Sequence, residues 1–243
     1  MRAVNKMIPL YVLSLAVVFA CAVFASRSVT VLSAVMAPAE MPLLPTVVLD
    51  PGHGGEDGGA VSPDGLKEST LNLEISLRAR DLLRFLGLSV VMTRETDVSI
   101  YSPDAATVSE KKVSDLKNRV RLVGEIENAV LLSIHQNKFS ESKYKGAQVF
   151  YAPTTGSKEL AERLQSVFDS QVDPSNHRLA KQSQSVYLLN KIHCPGVIVE
   201  CGFLSNPEET KQLQTNEYQK LLVTAICAGL TLFLEACAVP GIT

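Results

Sequence analysis

Three short apolar runs constrain this chain more than any other feature: VVLDPGH from Val47, VLLSIH from Val130 and GVIVE from Gly196 each drive hydrophobic residues straight into a histidine or a glutamate. Runs of this length, bounded by turn residues, read as buried strands. An imidazole or carboxylate at the end of such a strand is costly unless it is paired, hydrogen-bonded or bound to metal. The three endings therefore place His53, His135 and Glu200 at one rim of a sheet, where loops on a rigid scaffold form ligand crevices.

The intervening segments have helical periodicity. Leu71, Ile75, Ala79, Leu82, Leu83 and Leu86 fall on one helical face, and Gly87 is placed to end that helix. Leu88 to Met92 reads as a second strand, Glu95 to Ser114 as a long polar surface loop, and Asp115 to Glu127 as a helix. After the strand Val130 to Ile134 come a strand at Gly146 to Tyr151, a helix at Ser157 to Ser170, a fifth strand at Val186 to Leu189 and a sixth at Gly196 to Val199. The last helix runs from Glu217 to Ala236 with Asn216 as N-cap. Strands separated by helices imply an α/β fold: a mostly parallel sheet of about six strands with helices on both faces, and a metal site at the carboxyl ends of the strands.

The first residues differ in kind. Arg2 and Lys6 precede an uncharged apolar run from Met7 to Ala25, close to the roughly 20 residues that span a bilayer. Residues 1–26 are expected to be a signal peptide or membrane anchor, 27–45 a linker, and 46–238 a catalytic domain. Positive charge before the apolar run favours export of the residues beyond it, so the domain is expected outside the cytoplasmic membrane, tied to it if the leader stays uncleaved. A hydrophobic fraction of 46% is ample for one core. The net charge of -2 and pI near 6.1 exclude a nucleic-acid binder driven by bulk charge. Of five cysteines, Cys21 lies in the leader, and Cys194, Cys201, Cys227 and Cys237 follow no paired spacing. Cys194 and Cys201 flank a strand too long for a disulfide to bridge, and read as packing residues.

Glu68 joins the three strand ends, because it opens the first long helix and its carboxylate can return to the same rim. Alone, a histidine among glycines is a turn residue and a glutamate at a helix start complements the dipole. Together His53, Glu68 and His135 form a His2Glu set, a three-donor shell for one zinc ion with a fourth position left open. Glu200 then has the place of a general base. His177 and His193 sit in polar surroundings and read as structural or exposed. Arg94, Arg119 and Arg178 are equally well read as substrate contacts or as structural ion pairs.

The combination of LDPGHGGEDGGA, Glu68 followed by LNLEI, VVMTR, SIHQN, GAQVFY and VECGFLSNPEE resembles the zinc-dependent N-acetylmuramoyl-L-alanine amidases of the third amidase family over nearly all of Thr46 to Cys237. The resemblance implies zinc bound by His53, Glu68 and His135, catalysis by Glu200, and peptidoglycan as substrate. Two departures are visible. Gln136 stands where that family usually has Ala, and Cys201 where Ile or Thr is commoner. The leader and the wording HQNKF and HCPGVIVECGFLSN resemble the family's sporulation branch. That implies work on spore cortex, where removing the stem peptide permits muramic δ-lactam formation and germination. The stretch from Gln136 to Lys145 is too short for the self-inhibiting helix that some members insert, so regulation is expected from outside the domain, through a protein activator. A zinc peptidase cutting within the stem peptide and a non-catalytic wall-binding protein remain the alternatives.

Overall fold

The computed structural model describes residues 44–238; the expected leader and nearly all of the linker lie outside the described residues. Six strands form one sheet: β1 (Thr46–Pro51), β2 (Val90–Met92), β3 (Ala129–Asn137), β4 (Gln148–Tyr151), β5 (Lys181–Gln182) and β6 (Gly196–Phe203), in the spatial order β2-β1-β3-β6-β4-β5. All neighbours pair in parallel except β4 and β6, which are antiparallel. The helices are α1 (Glu68–Phe85), α2 (Val108–Gly124), α3 (Ser157–Val167), α4 (Tyr187–Lys191), α5 (Pro207–Leu213) and α6 (Asn216–Ala238).

Alternation along the strands divides the core between two faces. Val47, Leu49, Val130, Leu132, Val197 and Val199 pack under α1, α3 and α6. Val48, Leu131 and Ile198 face Val123 of α2 and Leu188 and Leu189 of α4. Helices thus cover both faces, as expected. Helix α6 is long and apolar enough to cross a membrane, yet Leu222, Ile226, Leu230 and Phe233 are buried in the core of this domain. Cys201 and Cys227 are buried and Cys194 partly so, all as free thiols, which agrees with a packing role for Cys201 and Cys194.

Several elements differ from expectation. Val186 to Leu189 is no strand: Tyr187–Lys191 is the short helix α4, and the fifth strand is the two-residue β5 upstream. Consecutive residues of a strand point to opposite faces, whereas Leu188 and Leu189 are both buried in one cluster, which a helical turn permits. The expected loop Glu95 to Ser114 ends early, because α2 starts at Val108. A capping box sets that start: Thr107 accepts from Glu110 N at 3.2 Å, and the Glu110 carboxylate accepts from Thr107 N at 2.8 Å. Helix α5 was not expected at all, although Asn206 caps it by accepting from Glu208 N and Glu209 N, and Pro207 occupies its first position. Asn216 lies inside α6; the Thr215 hydroxyl takes the capping role by accepting from Tyr218 N.

Candidate active site

The turn after β1 carries the first candidate ligand, and main-chain carbonyls hold it in place. His53 adopts a φ of 61°, and Gly54 and Gly55 also have positive φ. Arg119 donates to Pro51 O at 2.9 Å and His53 O at 2.7 Å, while Arg94 donates to Pro51 O at 2.9 Å and to Gly52 O at 3.0 Å. Asp50, fully buried beneath the turn, accepts from Arg119, from Thr93 Oγ1 at 2.6 Å and from Ser133 Oγ at 2.7 Å. Burial raises the Asp50 pKa, but the Arg119 charge and the two hydroxyls outweigh it and hold the carboxyl at about 2. Arg94 and Arg119 are therefore structural. Gly52 has a steric reason as well: a Cβ there would lie 2.2 Å from His135 Nε2.

Three side chains meet above this turn. Donor atoms of His53, Glu68 and His135 all lie within 4.8 Å of one another. Glu68 opens α1, is buried, and bridges the pair: Oε2 lies 3.3 Å from His53 Nε2 and Oε1 lies 2.9 Å from His135 Nδ1. Its oxygens also accept from Ala60 N at 2.8 Å and Gln136 N at 3.2 Å. Asp57 Oδ2 binds His53 Nδ1 at 2.9 Å, which turns Nε2 toward Glu68. Burial disfavours charge on both Glu68 and His53, yet their mutual contacts win. Hydrogen bonds and charge from His135 and His53 hold Glu68 far below the carboxylate range, and Asp57 and Glu68 push His53 up to about 9. This cluster attracts positive charge, and two imidazole nitrogens with one carboxylate are the donor set of a three-ligand zinc shell. The residues fit such an ion.

Glu200 faces His135 directly across the β3–β6 ladder. Its Oε2 is sealed from solvent with no hydrogen-bond partner. Burial pushes the carboxyl up to about 7, with Glu68 adding to the shift and the two histidines opposing it. The group lines a cavity of about 230 Å³ together with His53, His135, Leu116, Val186 and Ile198. A larger hollow of about 490 Å³ beside Asp104 and Lys117 contains none of these residues, so chemistry and not size marks the site.

The structure thus brings His53, Glu68, His135 and Glu200 to one rim, with Arg119 in the same cavity wall, and leaves His177, His193 and Arg178 outside it. His177 and His193 are exposed. Arg178 donates to Lys145 O and stacks 4.7 Å over the Phe203 ring. Sequence reasoning missed Asp57 and Asn72. Asp57 follows His53 by four residues in the same glycine-rich turn. Asn72 lies one helical turn after Glu68 and donates to Glu68 Oε1 at 3.2 Å and to Gly52 O at 3.1 Å, a spacing visible in the sequence. Gln136, one of the two departures from the family pattern, donates to Asn72 Oδ1 at 3.3 Å and so extends the support of Glu68.

Comparison with known proteins gives the family and the fold. The family model described as N-acetylmuramoyl-L-alanine amidase (Amidase_3) matches residues 47–232. The germination-specific N-acetylmuramoyl-L-alanine amidase of Bacillus subtilis is 36% identical over 195 residues, which cover 79% of this chain and 81% of the relative. The amidase AmiA of Escherichia coli is 30% identical, covering 76% of this chain and 74% of its own length. Among solved structures, the CwlD amidase from Clostridioides difficile in complex with the GerS lipoprotein matches with a TM-score of 0.77 and 39% identity, over 79% of this chain and 99% of that one.

Proposed function

Because the chain belongs to the Amidase_3 family of N-acetylmuramoyl-L-alanine amidases, peptidoglycan hydrolases, we propose that its 46–238 domain cuts the muramoyl–L-alanine amide with one zinc ion held by His53, Glu68 and His135, and with Glu200 as the proton-transfer group. The observation that carries this reading is Glu200: a carboxyl oxygen buried without a partner, beside a compact His2Glu set, is placed for proton transfer. Zinc, when bound, supplies an electrophile for the amide carbonyl and acidifies water. Glu200 takes the proton from the attacking water and delivers it to the departing L-alanine nitrogen, which cannot leave as an anion. A carboxyl pushed up toward neutrality is suited to both halves of that exchange. Asp57 holds His53 by Nδ1, and Asn72 with Ala60 N and Gln136 N fixes the two Glu68 oxygens.

The setting we propose is spore cortex, where stem-peptide removal precedes muramic δ-lactam formation and germination. Its support is the likeness to the germination-specific amidase of Bacillus subtilis and to CwlD. CwlD is solved with a lipoprotein bound, and the short β3–β4 connection of this chain leaves regulation to such a protein partner. Residues 1–26 would export the domain or anchor it to the membrane; protease added to intact protoplasts should then reach it, and complete protection would reverse the topology. The activity is tested by digesting defined peptidoglycan with added zinc and weighing the products. Release of the entire stem peptide with a free L-alanine amine identifies the amidase, and cuts inside the peptide identify a peptidase.

A further inference from the structure

We propose that Lys112 is a specificity residue that favours stem peptides carrying a free carboxylate one residue beyond the scissile amide. The inference rests on the amidase reading of the Glu200 cavity.

That cavity is walled by His53 from the turn after β1, by His135 of β3 and Glu200 of β6 and, from α2, by Lys112, Asp115 and Leu116. Lys112 also lines a hollow of about 180 Å³ with Glu56 and Tyr101, which shares Asp57, Lys112 and Asp115 with the catalytic cavity, and its ammonium lies 3.3 Å from Asp57 Oδ1. Apart from Glu200, the other charged side chains facing the cavity are committed. Arg119 is 2% exposed and spends its donors on Asp50, Asp115 and the carbonyls of Pro51 and His53. Asp57 is bound to His53 through Oδ2. Lys112 alone among the lining cations is accessible: its side chain is 57% exposed, and one ion pair, to Asp57 Oδ1 at 3.3 Å, engages it. An ammonium has three donors, which leaves two for an anion in the cavity.

The substrate supplies one. In the stem peptide L-alanine is followed by D-glutamate, joined onward through its γ-carboxyl, so the α-carboxylate is either free or amidated. It lies five bonds, at most about 7 Å of chain, beyond the amine that Glu200 protonates. A cavity of about 230 Å³ falls below the roughly 300–1,000 Å³ that encloses a drug-sized ligand. A cavity of this size matches the groups next to the scissile bond, so a charge on its wall is placed to read a group at this distance.

The test compares kcat/KM on two muropeptides identical except for an α-carboxylate or a carboxamide on D-glutamate, using zinc-loaded enzyme. Wild type should favour the free carboxylate by roughly three- to tenfold, the range for a partly screened charged hydrogen bond. Lys112→Gln should bring that ratio close to one, and Lys112→Arg should keep it. The ratio cancels any general loss caused by disturbing Asp57, so a merely structural lysine would lower both rates and leave the ratio alone. A wild-type ratio of one, or an unchanged ratio in Lys112→Gln, overturns the inference while the amidase reading stands. Cleavage of neither substrate overturns the amidase reading, and the inference with it.

Discussion

Asp57 Oδ2 lies 2.9 Å from His53 Nδ1, and this contact decides which nitrogen of the ring faces Glu68. Groups that orient a metal-binding histidine typically contribute about 10–100-fold to metal affinity. Asp57→Ala should therefore weaken zinc binding by about that factor and leave the fold intact, since Asp57 is only half-buried. Competition with a chelator of known affinity measures it, and an unchanged affinity would show that the turn alone orients the ring.

Glu200→Gln separates proton transfer from the other roles a buried carboxyl can play. The variant should keep its zinc and its melting temperature and lose about a hundred- to ten-thousand-fold in turnover. A structural residue would instead lower the melting temperature, and a metal ligand would lose zinc. Near-normal release of stem peptide by this variant removes Glu200 from the mechanism.

Metal uptake should release a proton. Without metal, His53 is pushed to about 9, so at pH 7 its ring carries a proton that a ligand nitrogen must surrender. Zinc affinity is expected to rise with pH up to about 9 and to level off above it. Calorimetry at pH 7 in buffers of different ionisation enthalpy counts the proton directly; His53→Ala and His135→Ala should both lose most of the metal.

The Asp50 network makes an acid-stability prediction. Its carboxyl moves from an ordinary 3.8 to about 2 on folding, so it favours the folded state above about pH 4, and that contribution disappears as pH falls through about 2. The amount is on the order of 2 kcal/mol. Asp50→Asn leaves the buried Arg119 with less compensation and should cost about 3 kcal/mol at neutral pH. Urea unfolding at pH 5, 3 and 2 should show a smaller acid-induced loss in the variant than in wild type.

How much of the fold and site was legible in the sequence depended on whether a signal was local. His53, His135 and Glu200 were legible as rim residues because an ionisable group beside a buried apolar run has to be paired, hydrogen-bonded or metal-bound, but the expected strand ends were not: β3 and β6 run on past His135 and Glu200 to Asn137 and Phe203. The helical face Leu71, Ile75, Ala79 and Leu83 followed from spacing and all four are buried, whereas Leu86, expected on the same face, caps the end of the helix and is 51% exposed. The run Val186 to Leu189 was not legible, since four residues carry no period that distinguishes a strand from a helical turn. The starts of α2 and α5 were written in Thr107 with Glu110 and in Asn206 with Pro207, signals of capping and not of hydrophobicity. Arg94 and Arg119 could be assigned only once the fold had brought the Pro51, Gly52 and His53 carbonyls beside them, because no spacing along the chain predicts a guanidinium's backbone partners.

Those two guanidiniums have a further consequence. They grip the histidine-bearing turn by its peptide oxygens, and none of these bonds depends on a ligated ion. The path of that turn is therefore fixed from behind, by groups that do not touch the imidazole, so a substitution of the His53 side chain should leave the turn where it is.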